Sequence, residues 1–301
     1  MDNYVPTLVI GLIVGTLARL LTLRSDYRHF PGYPHGYVTH ISLGVVAAAL
    51  GAVAIPAFVE KEYTAVTFLT LAAQQFREIR NMERETLSQL DEIQLVPMGK
   101  DMIEGIARVF ESRNYLTIAA ALQASLVTYV FGTAWAVLSS ALVLWLFVRY
   151  LATGPVIGDI AEVVESKPYF GYGNYKTLLM IDEIVIMEVG LESSRKKIEK
   201  EALGVLIKPK DDNARATLNR VGQRQAILNT VATLIGSKKE IGEPDWTPLA
   251  RKNIDTGEVA VFILPNEPDI EPLIEAVKAT PVLESARTTP LESKAGSRAA
   301  D

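Results

Sequence analysis

Cysteine is absent from all 301 residues, which excludes disulfides, thiolate nucleophiles and cysteine-ligated metals. Histidine is scarce, with three residues, His29, His35 and His40, all in one window. Neither sign of charge dominates: 30 Lys+Arg face 35 Asp+Glu for a net of −5. No polyanion-binding surface follows from that balance, and no nucleic-acid partner. Charge is also missing locally. Residues 1–152 contain long uncharged runs and residues 153–301 contain none. The mean hydropathy of +0.19 therefore averages two unlike halves, a transmembrane helical domain over 1–152 and a water-soluble one from 153.

The first run, Pro6 to Leu23, matches the ~20 residues that span a bilayer core. Its single charge, Arg19, lies near enough to the end to snorkel to the interface. With no basic residue ahead of the run and no small-residue cleavage site after it, it is an uncleaved span rather than a secretory signal. Val38 to Val59 is uncharged and rich in Gly and Ala, which suits close helix packing in lipid. Arg24 and Arg28 between the two runs put that loop in the cytoplasm by the positive-inside rule. Thr64 to Phe76 is apolar but covers only about 20 Å as a helix. Leu116 to Val148 would make about 50 Å, too long for one crossing, and Gly132 near its middle permits a hairpin. Five short spans or three longer ones fit an outside N-terminus and an inside C-terminal domain, with five preferred.

Between these runs, 77–115 is a charged amphipathic segment. Ile79, Met82, Leu87, Leu90 and Ile93 recur at near-helical spacing. Pro97 and Gly99 interrupt it, and a second amphipathic helix opens at Asp101, a favourable first-turn acid. Ile103, Ile106 and Phe110 share one stripe, while Glu104, Arg108 and Glu111 share another, as in a helix lying on the bilayer or against the bundle.

Four groupings could carry chemistry. His29, His35 and His40 are weak metal-ligand candidates, because imidazoles bind divalent metals but their spacing matches no ligand pattern. The Tyr and Phe residues around them fit an interfacial aromatic belt better. Asp101, Glu104 and Glu111, beside Arg108 and Arg113, could form a paired-carboxylate acid–base site, or Glu104 and Arg108 could simply pair on an exposed helix. Asp159 follows Gly158 much as in membrane aspartyl proteases, although Val156 leaves that motif incomplete, and an N-cap role suits it better. Gln123, Ser125, Thr128 and Tyr129 in the long run suit interhelical hydrogen bonding. GYGNYKT at 171–177 lacks the glycine before lysine that a phosphate loop needs. No cofactor-binding pattern is present.

In the soluble half, β-branched runs at Leu178–Val189, Gly204–Ile207, Val259–Leu264 and Pro281–Leu283 alternate with helical segments at Asp211–Ile235 and Asp269–Lys278. A charged helix or hairpin tip covers Leu191–Glu201, and 237–257 is a loop. This order predicts a small α/β domain, ferredoxin-like, over 153–285, with a disordered tail over 286–301.

Met102-Ile103-Glu104-Gly105-Ile106-Ala107, then Arg108, then Glu111-Ser112-Arg113-Asn114-Tyr115, resembles the signature of the YIEGIA family, integral membrane proteins of endospore-forming bacteria. Met102 departs from the family's Tyr. The loop from Asp26 to Pro34 also resembles the family's first loop. The resemblance implies a cell-membrane protein of the sporulating cell or spore, acting in spore-envelope assembly beside a small soluble capping-type subunit. It carries no established catalytic residue. Two functions follow: a membrane platform whose cytoplasmic α/β domain and 77–115 segment dock that partner, or a membrane-embedded protease or other hydrolase restrained by it, with Asp101, Glu104 and Asp159 as the acids.

Overall fold

A computed structural model describes residues 4–26, 34–151, 154–238 and 246–299. The chain divides into two compact units. Residues 1–87 and 106–154 form one, and residues 88–105 and 155–301 the other.

The first unit is helical. Its helices are α1 (Val5–Asp26), α2 (Pro34–Val59), α3 (Tyr63–Asp91), α4 (Lys100–Phe131) and α5 (Thr133–Leu146), followed by a π-helical turn over Phe147–Leu151. Small residues bring α1, α2 and α4 together. A Cβ on Gly15 would stand 2.6 Å from that of Ala48, and one on Gly51 would stand 2.4 Å from the Ile118 carbonyl oxygen. Such close backbone approach replaces the hydrophobic driving force that lipid does not supply. The Ser125 hydroxyl ties the same seam, reaching the Ala52 carbonyl at 2.9 Å and that of Thr7 at 3.2 Å.

The contacts also order the helices by depth. Tyr4, at the start of α1, donates to Glu60 beyond the end of α2 and stacks on Tyr129 near the end of α4. At the other end, Arg19 and His40 both meet Phe110, in the first half of α4. Helix α3 runs against α4 in the opposite sense, with Phe76 beside Tyr115 and Arg80 bonded to Glu111 at 3.0 Å. Gly132, at φ +85°, ends α4. Helix α5 then packs back, with Gln123 donating to Ser139 at 2.9 Å.

Among the described residues, four helices are long and apolar enough to cross a membrane: Val5–Leu23, Gly36–Val59, Lys100–Phe131 and Thr133–Tyr150. The sequence suggested three or five. The difference arises because the amphipathic segment from Asp101 and the first half of the long apolar run are one 32-residue helix, α4. Thr64–Phe76 likewise continues without a break into the charged half of α3, which dilutes its apolarity.

The second unit is an α/β domain with two small sheets. The larger has the order β1-β5-β7-β6, from Ala161–Glu165, Leu203–Pro209, Val259–Ile263 and Leu249–Lys252, with every neighbour antiparallel. The smaller is β2-β3-β4, from Tyr169–Phe170, Leu178–Ile181 and Ile184–Glu188. Strand alternation lets central β7 serve two cores. Val259, Val261 and Ile263 join Ile227, Val231, Leu273 and Val277 on the helical side, from α9 (Val221–Ile235) and α10 (Ile270–Ala279). Ala260 and Phe262 join Leu179, Ile181 and Ile186 of the small sheet and Ile198 of α7 (Glu192–Glu201).

This arrangement corrects the ferredoxin-like expectation. The run Leu178–Val189 is a hairpin folded at Asp182, which takes φ 54°, and it belongs to a separate sheet. Pro281 makes only a lone bridge to Val156, whereas β6 lies inside the stretch read as loop. Asp211–Ile235 is two helices, α8 (Asp212–Leu218) and α9, and α6 is a single turn at Ile157–Ile160. The tail is not featureless. Ala286 is buried, the Thr288 and Leu291 amides donate to Thr217 and Asn213, and Lys294–Ala299 forms α11.

Candidate functional site

The motif helix begins in the second unit and ends in the first, so its two ends have separate settings. At its start, 88–105 packs on α9. The Asp91 carboxylate accepts from the backbone N–H groups of Met98 and Gly99, closing the turn that Pro97 and the positive φ of Gly99 require. Asn229 donates to the Val96 carbonyl at 2.7 Å and to Gln94 at 2.9 Å, and Gln225 donates to the Pro97 carbonyl. Asp101 lies directly on Gly222: a Cβ there would stand 2.2 Å from Asp101 Oδ2. Thus Asp101, in the first turn of α4, is exposed to solvent on one side and seated on a glycine on the other.

Within the motif, Met102, Ile103, Ile106 and Ala107 are buried, Glu104 and Gly105 are partly exposed, and Arg108 is exposed. The apolar stripe read from the sequence is therefore the packed side, and the polar stripe points away from it. Glu111 pairs with Arg80, while Arg113 and Asn114 are buried. Asn114 is fully enclosed, and neither its amide nitrogen nor its oxygen has a hydrogen-bond partner among the described residues.

In the helical unit, Arg19, His40 and Glu83 come together from α1, α2 and α3. Arg19 bonds to His40 Nδ1 at 2.9 Å and lies 5.5 Å from the centre of the Phe110 ring. His40 meets that ring edge-on at 4.3 Å, and its Nε2 is 4.0 Å from a Glu83 oxygen. All three polar side chains are buried. This corrects the expectation for Arg19, which does not snorkel but turns inward. Room for its stem comes from Gly44, where a Cβ would lie 2.3 Å from Arg19 Cγ. Buried ionisable groups inside a membrane bundle mark functional or bundle-organising positions, and here three of them gather, two of which, Arg19 and His40, meet Phe110 of α4.

The cluster was not read from the sequence. Its signal was available in part: Arg19 and His40 are the ionisable residues within the runs 6–23 and 38–59, and Gly44 sits one turn from His40, whereas Glu83 lies in a charged segment where nothing singles it out.

The other predicted residues fall as follows. Asp159 is exposed and accepts from the Val156 amide at 2.9 Å, the capping role. His40 is the only one of the three histidines with a described side chain; the chain at His35 is helical, and His29 lies outside the described residues. Among the described residues no three His, Asp or Glu side chains converge as a metal site requires, and His40 is turned to Arg19 and Glu83 instead. Ser125 and Gln123 make the interhelical bonds expected of them.

A family model described as YIEGIA protein matches residues 7–293. A relative from Bacillus subtilis (strain 168), titled uncharacterized protein YphB, is 43% identical over 293 residues, covering 97% of each chain. No solved structure matches the chain.

Proposed function

The chain belongs to the YIEGIA family, and on that footing we propose that it is a non-enzymatic membrane platform acting in spore-envelope assembly. Its helical unit anchors in the bilayer, and the outward polar side of the motif helix, Glu104 and Arg108, docks a small soluble capping-type protein. One observation carries this. The motif's apolar side is buried and two of the three carboxylates that a hydrolase would need are in structural use: Asp159 caps its own turn, and Asp101 packs against Gly222. Glu104 is partly exposed and Arg108 exposed, which gives that side of the helix the charged character suited to protein recognition.

The membrane topology we propose has five crossings, with α3 as the third. Its support is the order of contacts: α3 meets α4 at Phe76 and Arg80 and α2 at Glu83, and its first 14 residues rise about 21 Å, comparable to the stretch of α1 between Tyr4 and Arg19. Charge agrees. Among the described residues, Arg19, Arg24, Arg77, Arg80, Arg84, Arg108, Arg113 and Arg149 belong to one end of the helices, and Lys61 to the other. The positive-inside rule makes the arginine-rich end cytoplasmic, together with the α/β domain that follows it.

The test is Glu104→Gln, which keeps size and helix propensity but removes the acid. The chain replaces its relative in Bacillus subtilis, and protein level, spore yield and co-purifying small proteins are measured together. The platform predicts that spore yield either persists or falls together with partner recovery. Loss of spore yield with the partner still bound overturns it in favour of the hydrolase.

A further inference from the structure

The 171–177 stretch, too short of glycine to hold a phosphate, has a different geometry from a nucleotide loop. Gly171 lies under Tyr175, where a Cβ would meet the Tyr175 carbonyl oxygen at 2.8 Å, and Gly173 takes φ +62°. The two glycines fold the loop so that its tyrosines stand outward: Tyr172 is 88% exposed and Tyr175 64%. Tyr169, by contrast, is held by its hydroxyl, which donates to the Asp182 carbonyl at 2.6 Å. The loop is fastened to the start of α7. The Val189 amide donates to the Thr177 carbonyl at 2.7 Å, Thr177 bonds Glu188, and Arg195 caps the Val189 and Gly190 carbonyls. Leu191, 66% exposed, therefore joins the two tyrosines. Lys196 bonds Glu192 at 2.8 Å and Lys176 is close enough to act on the same carboxylate, and Lys196 and Lys200 lie on the exposed side of α7.

Two exposed aromatic rings and a leucine beside three lysines have the composition of a bilayer-surface contact: rings for the headgroup level, ammonium groups for anionic lipid. The chain adds a second reason. The last apolar helix runs to Tyr150 and the α/β domain starts at Pro155, so the domain is tethered to the bilayer by a few residues, and each lysine acts at a high effective lipid concentration. We propose that the ridge of Tyr172, Tyr175 and Leu191, with Lys176, Lys196 and Lys200, lies on an anionic bilayer surface. This rests on the membrane anchoring proposed above.

Because the chain has no cysteine, a nitroxide can be placed on Tyr172→Cys of the full-length protein without background. The labelled protein is assembled into nanodiscs of phosphatidylcholine with one third phosphatidylglycerol. Accessibility to oxygen and to an aqueous nickel chelate is then measured. The ridge predicts at least a threefold fall in nickel accessibility, with oxygen accessibility kept, relative to phosphatidylcholine alone. The triple change Lys176→Glu, Lys196→Glu, Lys200→Glu, or 0.5 M salt on the unaltered lysines, reverses the fall. A label open to nickel in anionic discs overturns the proposal. So does one shielded from both reagents in either lipid, which indicates a protein cover. Failure to insert into any nanodisc would instead defeat the anchoring proposal.

Discussion

Arg19 and His40 meet at 2.9 Å inside the helical unit, and chemistry fixes the direction of that bond. A guanidinium has only donors, so His40 Nδ1 accepts and the proton of the neutral ring sits on Nε2, facing Glu83 at 4.0 Å. Arg19, His40 and Glu83 come from three successive helices, and the ring of Phe110 from the fourth closes over the first two. The cluster therefore fixes the register of all four.

Removing His40 alone costs buried Arg19 a hydrogen bond, whereas removing both partners of the Arg19–His40 bond leaves neither to lose it. His40→Leu is expected to destabilise the protein by about 1.5–3 kcal/mol, the range for a bond to a charged group. Arg19→Leu with His40→Leu should recover part of that loss. Thermal aggregation in detergent of the two single variants and the double one measures the coupling. Additive losses would mean that the pair contributes nothing as a pair.

Two glycines on the bundle's helices should respond in opposite ways. Gly51→Ala forces a methyl against the Ile118 carbonyl and Ala121, and overpacking of this kind costs about 1–3 kcal/mol. Gly105, inside the signature, has nothing within 4 Å of an added Cβ. Gly105→Ala should therefore stabilise α4 by up to about 1 kcal/mol through helix propensity. Detergent melting temperatures test both. If Gly105→Ala is stable yet loses the partner, the glycine serves the docking face rather than the fold.

Gly222→Ala places a methyl where the Asp101 carboxylate sits. The 88–105 segment is then expected to lift from α9, exposing Asn229 and the Val96 carbonyl. Hydrogen exchange at residues 94–101 should speed up at least tenfold while the β5 and β7 amides stay protected. Unchanged exchange in 94–101 would show that Asp101 simply turns aside.

These elements differ in how visible they are in the sequence. Apolar runs, the Gly132 break and the Asp269 cap of α10 are local, and local chemistry reports them. Strand β1, AEVVE, carries two glutamates in five residues, and only pairing with β5 makes it a strand. The β1–β5 and β5–β7 pairings join residues from 40 to 60 apart. Likewise the carboxylates at 101 and 159 look alike in sequence, and only packing separates one on Gly222 from one that caps its own turn. Arg19 reads as a snorkelling arginine because Gly44, the residue that admits it, sits on a different helix.

Lys238 donates to Glu201 at 2.6 Å, and this bond with the lysine charge holds the Glu201 carboxyl below its usual range. A depressed carboxylate stabilises the fold above its unfolded pKa, and the contribution disappears as pH falls through the folded value. Because the pair is about a quarter exposed, screening limits it to about 1 kcal/mol or less. Lys238→Met should lower the melting temperature at pH 7 and make no difference at pH 3. An equal loss at both pH values would assign the effect to packing of the lysine stem.

The crossing of α3 decides between two topologies that otherwise share every helix. If α3 crosses, Glu62 and Thr133 lie on the side opposite the α/β domain. If only the four long apolar helices cross, Glu62 and the domain lie on the same side, because α4 and α5 go out and return. Single cysteines at Glu62, Thr133 and Asp182, in a chain with none of its own, separate the cases with a membrane-impermeant maleimide on intact cells. Five crossings with the arginine-rich end inside predict labelling at 62 and 133, and none at 182 until the membrane is opened. Labelling at 133 alone, with 62 protected alongside 182, would mean that α3 does not cross, and would contradict the Tyr4 contacts that put the ends of α2 and α4 at one level.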